Sequence, residues 1–315
     1  MSAAFLVIDK PPGVTSHDIV AAVRAVTGIK KVGHTGTLDP FATGVLPLAL
    51  DRATRLIRFL DESLKVYDAT IKLGESTSTG DPEGEVTRTA PVPDLSDVDA
   101  VLASFVGPRM QTPPAYSAVK VDGRPLYKYA RAGETREVPA RPIEIFDMKR
   151  LGATQDTLRV EIHCTRGTYA RVLADEIAEA LDSAGHLSAL RRLRSGPFTL
   201  EGALTLPELA RMVADTDDWQ RAFFFKGPRA ERLPWKPRAQ VLAALQPYLT
   251  PVSQALGHLP RAALRPGQRH RFLSGGTPPP PPAGGIHGPW LVVDGDEILA
   301  LVEKADSGLR TFRVA

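Results

Sequence analysis

The stretch GHTGTLDPFATGVLP, residues 33–47, is the most informative segment of this chain. It places three glycines and two prolines around one acidic side chain, Asp39. Glycine permits backbone angles and close approaches that a β-carbon forbids, and Pro40 restricts the residue before it to extended conformations. A carboxylate held in this way can cap a turn or take part in chemistry, so the loop alone leaves both interpretations open.

The segments around this loop predict regular secondary structure. Residues 5–8 predict a buried strand, and Thr15 and Ser16 offer an N-cap for a helix that runs to about Thr27. Gly28 suits the C-terminal cap of that helix. Further strands are predicted at 45–50, 66–73, 143–151 and 157–164, and further helices at 53–60, 97–105 and 168–184. Strands and helices that mix without regular alternation favour an α+β fold over a doubly wound sheet.

Charge is spread unevenly over the 315 residues, although the net charge is only +3. Residues 109–150 carry nine Lys and Arg against five acids, and residues 220–240 carry six against one. Residues 258–272 carry four Arg and no acid, whereas residues 75–95 are polar and predict a surface loop. Separate basic segments are typical of nucleic-acid binding, but they also occur on ordinary solvated surfaces.

Several classes of protein are disfavoured by motifs that the chain lacks. It has one cysteine, Cys164, which allows no internal disulfide and reads as a small buried apolar side chain. No phosphate-binding glycine motif, zinc spacing, GxSxG or HExxH is present, which disfavours nucleotide-driven, metal-driven and serine-hydrolase chemistry. The chain has no basic leader and no apolar run of roughly 18 residues. We therefore expect a cytoplasmic protein without a membrane partner, a metal or a cofactor.

Three polar side chains remain as candidates for chemistry. Asp39 can act as a nucleophile or a general base without a cofactor. Arg171 can keep a carboxylate ionised and oriented, or bind a phosphate with two nitrogens. Tyr67 offers a ring that can stack on a base, although a tyrosine in a strand is more often part of the core.

These residues lie within motifs through which the chain resembles the TruB family of tRNA pseudouridine synthases. The order and spacing of the motifs hold over about residues 5–200, and the GHTGTLDP loop is highly specific. The matching motifs are IDKPPG (8–13), GHTGTLDPFATGVLP (33–47), KVY (65–67), PPAYSAVK (113–120), RGTYAR (166–171) and LRRL (190–193).

The resemblance implies isomerisation of the uridine at position 55 in the T loop of tRNA, by base flipping and without a cofactor. The N-glycosidic bond breaks, the base turns, and a carbon–carbon bond forms at C5. Asp39 matches the catalytic aspartate. Whether its carboxylate attacks the sugar, attacks the base or removes the 2′-proton of the ribose stays open.

The resemblance also assigns roles to other residues. Tyr67 matches a tyrosine that stacks on the flipped base, and Arg171 matches an arginine that pairs with the catalytic aspartate. His34 matches a histidine placed against the extruded nucleotides. The remaining substrate-binding candidates are the pocket positions Lys10, Tyr169 and Leu190 and the phosphate contacts Arg191 and Arg192.

The implied architecture is a catalytic domain, residues 1–250, with a mixed sheet, followed by a small β-rich domain of the PUA type, residues 258–315. A thumb-like insertion at about 109–140 closes on the T stem-loop of tRNA. The expected protein is a monomer with no obligate protein partner. Two alternatives stay open: a non-catalytic RNA-binding protein, and a guide-RNA-dependent relative that modifies ribosomal RNA.

Overall fold

Strands and helices alternate irregularly along the computed structural model, which describes residues 3–61, 63–224, 226, 231–282, 288–306 and 308–314. The strands are β1 (Ala4–Lys10), β2 (Val32–His34), β3 (Thr43–Leu50), β4 (Lys65–Leu73), β5 (Glu75–Thr77), β6 (Val86–Thr89), β7 (Gly107–Gln111), β8 (Lys120–Val121), β9 (Arg124–Pro125), β10 (Arg141–Ala153), β11 (Thr157–Cys164), β12 (Gly185–Ser195), β13 (Phe198–Thr199), β14 (Leu204–Thr205), β15 (Leu249–Pro251), β16 (Arg261–Ala263), β17 (Trp290–Asp294), β18 (Glu297–Ala305) and β19 (Gly308–Arg313). The helices are α1 (Ser16–Thr27), α2 (Val98–Ser104), α3 (Leu126–Ala130), α4 (Ala170–Ala180), α5 (Leu206–Ala214), α6 (Trp219–Phe224), α7 (Arg238–Leu245), α8 (Val252–Ala255) and α9 (Arg269–Leu273). This mixture confirms the predicted α+β class.

The first unit of the chain comprises Met1–Pro40, Gly44–Asp61 and Pro197–Ala315. Its strand β1 pairs antiparallel with β3, and the opposite edge of β1 pairs with β14 and β15. The neighbouring helix α1 begins with a capping box, in which Thr15 Oγ1 accepts the Asp18 N–H and the Asp18 carboxylate accepts the Thr15 N–H. Gly28 closes the helix in the left-handed region with a φ of 71°. The predicted strand, helix and caps are confirmed here.

The second unit comprises Phe41–Thr43 and Glu62–Gly196. Its sheet has the order β12–β4–β11–β10–β7, and all of these neighbours run antiparallel. The predicted pairing of 143–151 with 157–164 is confirmed as β10 with β11. Strand β4 lies between two partners, and Tyr67, Ala69, Ile71 and Leu73 form one buried face of it.

Two segments differ from the prediction. The helix predicted at 53–60 is replaced by two 3₁₀ turns, Asp51–Arg55 and Ile57–Phe59. The first turn is tightened because the Thr54 hydroxyl donates to the Asp51 carbonyl oxygen at 2.7 Å. The expected surface loop at 75–95 contains the hairpin of β5 and β6, whose second strand is fully exposed and so lacks an apolar pattern.

The C-terminal part of the first unit forms a sheet of its own, in the order β16–β17–β18–β19, which confirms the predicted β-rich tail. One face of this sheet contributes Leu291 and Leu301 to the same apolar cluster as Phe5 and Val45. The opposite face packs around Trp290 and Phe272. Within the residues that the structure describes, no helix is both long and apolar enough to cross a membrane.

Candidate active-site residues

Lys10 fixes the part of the loop that directly follows Asp39 in the first unit. It is the last residue of β1, and its side chain is fully buried. Its ammonium group donates to the carbonyl oxygens of Pro11 (2.9 Å), Val14 (2.7 Å) and Pro40 (3.0 Å). A buried ammonium is costly unless it is hydrogen-bonded, so these acceptors let Lys10 tie β1 to the residue that follows Asp39.

The residue before Asp39 is fixed as well. The hydroxyl of Ser16 donates to the Leu38 carbonyl oxygen at 3.0 Å and accepts the Leu38 N–H at 2.9 Å. The N–H of Gly13 donates to the Pro40 carbonyl oxygen at 2.9 Å. Asp39 itself is half-buried. Its backbone is therefore held from both sides.

His34 lies five positions before Asp39 in sequence, within the same motif. It ends β2, opposite Leu48 on β3, and is half-buried. The next residue, Thr35, donates its N–H to the Pro47 carbonyl oxygen at 3.0 Å. The first unit therefore carries three of the predicted site residues, Lys10, His34 and Asp39, on the strand ends and the loop of one motif.

The second unit carries the other predicted residues, and Arg171 is buried at the start of a helix there. Arg171 is the second residue of α4 and its side chain is 6% exposed. Its guanidinium donates to the carbonyl oxygens of Thr79 and Tyr116, both at 2.7 Å. It also lies 3.7 Å from the carboxylate of Asp81, which is 6% exposed too.

Asp81 was not predicted as a site residue, because it lies inside the expected surface loop. Asp81 accepts hydrogen bonds from the Thr79 hydroxyl and from the Glu83 N–H. Gly80 makes the close approach possible, because its φ is +72° and an added Cβ would lie 3.3 Å from the Cβ of Arg171. The glycine directly before Asp81 was the available signal for a close approach of the backbone. The partner of Asp81, Arg171 on α4, is 90 positions away in sequence, so the pair was not predicted.

Gln111 was also missed, and it holds the start of α4. Its side chain accepts the Tyr169 N–H at 2.8 Å and donates to the Tyr169 carbonyl oxygen at 3.2 Å. Gln111 is 2% exposed, whereas Tyr169 is half-buried. The two bonds replace a side-chain N-cap, which Tyr169 does not provide.

The remaining predicted residues lie on the adjacent strands β4 and β12. Tyr67 is 9% exposed and is the cross-strand partner of Arg192. Arg192 is 2% exposed and Leu190 is 7% exposed, whereas Arg191 is half-buried. Tyr67, Leu190, Arg191 and Arg192 are therefore brought together on paired strands of one sheet.

The thumb-like segment is joined to α4 through the Tyr116 carbonyl that holds Arg171. The guanidinium groups of Arg124 and Arg136 lie 4.4 and 4.9 Å from the ring centre of Tyr129. These cation–π contacts give the segment local order. A cleft of about 480 Å³ lies beside Tyr116 and Tyr129.

Cys164 is buried at the end of β11, as predicted for an apolar side chain. Burial raises the pKa of its thiol to about 11, so the group is protonated and unreactive at neutral pH. No group of three or more His, Cys, Asp and Glu side chains among the described residues is arranged to hold a metal ion.

Comparison with known proteins gives consistent results. Residues 24–170 match the profile of the TruB family pseudouridylate synthase N-terminal domain, and residues 171–257 match the tRNA pseudouridylate synthase B C-terminal domain. The tRNA pseudouridine synthase B of Aromatoleum aromaticum is 42% identical, covering 86% of this chain and 79% of the relative. The enzyme of the same name from Geobacter sulfurreducens is 48% identical, covering 66% of this chain and 69% of the relative.

A crystal structure of a Cbf5–Nop10–Gar1 complex is similar in fold, with a TM-score of 0.65 and 27% identity, covering 95% of this chain and 78% of that chain. The matched profiles cover both Asp39 and Arg171, and the identity to the bacterial relatives extends over most of their length. The chain therefore belongs to the TruB family of pseudouridylate synthases.

Proposed function

We propose that this chain converts the uridine at position 55 in the T loop of tRNA to pseudouridine, in a cofactor-free reaction that depends on Asp39. The observation that carries the proposal is the fixation of Asp39 by its two neighbours, Leu38 and Pro40, which are held by Ser16 and Lys10. A carboxylate on so rigid a backbone is pre-organised for a reacting group. The relatives from A. aromaticum and G. sulfurreducens carry the name of a tRNA-modifying enzyme.

The reaction is an isomerisation, so no atom is gained or lost overall. The bond between N1 of uracil and C1′ of ribose breaks, the base turns, and C5 bonds to C1′. C5 releases its proton and N1 gains one. Asp39 carries the covalent or proton-transfer step, for which an ionised carboxylate is needed. Arg171 serves as its charge partner and Tyr67 stacks on the flipped base, as the family resemblance implies.

The uridine must leave its stack before this chemistry can occur. Extrusion costs a few kcal/mol, which stacking and hydrogen bonds in a pocket offset. We assign this stabilisation to Tyr67, Tyr169, Leu190 and His34. Lys10, whose buried ammonium donates to three carbonyl oxygens, instead supports the loop that carries Asp39. Of the two candidate phosphate contacts, burial favours Arg191 over Arg192, because Arg192 is 2% exposed. We further propose that the segment 109–140 closes on the T stem-loop and that residues 258–315 form a PUA-type domain.

The test is release of tritium from a T stem-loop that carries [5-³H]uridine. Wild-type protein should release tritium, and Asp39→Asn should release none while it still binds the RNA. Asp182→Asn is the matched control, since Asp182 is exposed with a φ of 56°, a conformation that Asn adopts readily. We expect it to retain wild-type release.

Two outcomes would contradict the proposal. Binding without release by the wild-type protein would make the chain a non-catalytic RNA-binding protein or a guide-dependent enzyme. Equal loss of binding and release in Asp39→Asn would make Asp39 a structural residue. The stand-alone function is favoured because relatives named tRNA pseudouridine synthase B are 42% to 48% identical, against 27% for the Cbf5 structure.

A further inference from the structure

A row of four aromatic side chains lies in the segment between α5 and α7 in the first unit. Trp219 and Phe224 have ring centres 5.7 Å apart, Phe224 and Phe223 6.3 Å, and Phe223 and Trp235 6.2 Å. Each pair meets nearly edge to face, with interplanar angles of 75° to 89°. We call these residues the aromatic row. Trp235, at one end, is 40% exposed.

The segment is fixed to the first unit by contacts that do not use Trp235. Ala222 of α6 and Val241 and Leu245 of α7 are buried. The N–H of Lys236 donates to the carbonyl oxygen of Val213 on α5 at 2.7 Å. The exposed indole of Trp235 therefore projects from an anchored surface, and its exposure is not explained by a core-packing role.

The charges of this segment divide into paired and unpaired cations. Lys236 forms an ion pair with Asp215 at 2.6 Å, and Arg211 forms one with Asp217. Arg221 and Arg232 are exposed and stand in no ion pair with any residue that the structure describes. The Asp218 carboxylate next to Arg221 accepts the backbone N–H of Arg221 at 2.9 Å.

A segment that carries an exposed indole and exposed arginines suits a nucleic-acid strand better than an apolar protein partner. Bases of any sequence stack on an aromatic ring, and arginines neutralise the phosphates between them. We propose that the aromatic row and the two exposed arginines form a further RNA-contact surface. In this surface an unpaired base stacks on Trp235, and phosphates bind Arg221 and Arg232. That the RNA is tRNA rests on the proposed function.

The test measures the affinity for intact tRNA across a salt series of about 50 to 300 mM. The variant Arg221→Gln with Arg232→Gln removes these two exposed arginines. The matched control, Arg211→Gln with Lys236→Gln, removes the same charge from α5 and the residues before α7, where Asp217 and Asp215 form ion pairs with these cations. The slope of log Kd against log salt should fall by about 2 in the first variant and stay unchanged in the control.

The stacking is tested separately with Trp235→Ala and Trp235→Phe. We expect Trp235→Ala to bind about fivefold or more weakly at every salt concentration without a change of slope, because stacking involves no counterion. Trp235→Phe keeps a ring and should restore most of the affinity. Thermal unfolding of Arg221→Gln with Arg232→Gln and of Trp235→Phe should match the wild-type curve, because the arginines are exposed and Phe keeps a ring beside Phe223. Trp235→Ala loses that ring contact and should unfold at a somewhat lower temperature.

Equal slope changes in the two double variants would mean that net charge alone drives binding, and this would overturn the proposal. Unchanged affinity in all variants, with concentration-dependent self-association that Trp235→Ala abolishes, would assign the surface to a second copy of the chain. A wild-type protein that binds tRNA but releases no tritium contradicts the proposed function. It leaves the comparison of slopes intact, so the two failures are distinguishable.

Discussion

The carboxylate of Asp81 lies 3.7 Å from the guanidinium of Arg171, and both side chains are 6% exposed. The pair joins the loop before β6 to the first turn of α4. The same guanidinium holds the Tyr116 carbonyl of the thumb-like segment. The position of one arginine therefore depends on two separate segments of the second unit.

Asp81→Asn should lower the free energy of unfolding by about 2 kcal/mol, because a buried cation loses an anionic partner but keeps two carbonyl acceptors. It should also lower kcat more than it raises KM, because Arg171 loses its orientation. Urea unfolding and single-turnover kinetics measure the two effects. Asp156→Asn is the control: Asp156 pairs with Lys72 but is 43% exposed, so the loss should stay below about 1 kcal/mol. A control that loses as much as Asp81→Asn would refute this interpretation.

Ser16→Ala should loosen the Asp39 loop. It leaves the buried N–H and carbonyl oxygen of Leu38 without their hydroxyl partner, at a cost of about 2–4 kcal/mol in unfolding free energy. Hydrogen exchange at the Leu38 amide measures the opening of the loop directly, and the protection of this amide against exchange should fall. Ser104→Ala, which removes one exposed hydrogen bond at the end of α2, should change stability by no more than about 0.5 kcal/mol. Unaltered protection at Leu38 would contradict the assigned role of Ser16.

Gly80→Ala should destabilise the protein and displace α4. The alanine must keep the left-handed backbone conformation of Gly80, and its Cβ would lie 3.3 Å from the Cβ of Arg171. Gly202→Ala is the matched control, since its φ is +68° but the added Cβ meets nothing within 4 Å. Both variants should lose about 1–2 kcal/mol of unfolding free energy through backbone strain. Only Gly80→Ala adds the close contact with Arg171, so only this variant should lose further stability and lower activity. Equal stability and equal activity of the two would remove the packing argument.

The Cys164 thiol should contribute a pH-dependent term to stability. Its pKa is raised from 9.0 to about 11 by burial, so the unfolded chain loses the proton first as the pH rises. The contribution is fully present below pH 9 and is lost between about pH 9 and 11, with a size of about 2–3 kcal/mol. Urea unfolding of wild-type and Cys164→Ala proteins across this range measures it as a difference in slope. Parallel curves would contradict the assigned burial of the thiol.

Local patterns predicted the elements around Asp39 because their signals are contained in short stretches. Thr15, Asp18 and Gly28 cap α1 from within the helix's own sequence, and the apolar run of β1 indicates burial directly. Asp81 and Gln111 were missed because each acts on a residue distant in sequence; Gln111 lies 58 positions from Tyr169. The fully exposed strand β6 was missed because its side chains carry no apolar alternation.

The apolar cluster that joins Phe5 and Val45 to Leu291 and Leu301 sets an order for folding during synthesis on the ribosome. The second unit is built from one nearly continuous stretch and can pack soon after residue 196 emerges. Strand β1 can pair with β3 early, but Phe5 gains Leu291 and Leu301 as packing partners only after nearly 300 further residues are made, which takes about 15–60 s at ordinary elongation rates. During that interval the apolar cluster around Phe5 lacks its C-terminal members, so we expect the first unit to complete its packing after the second.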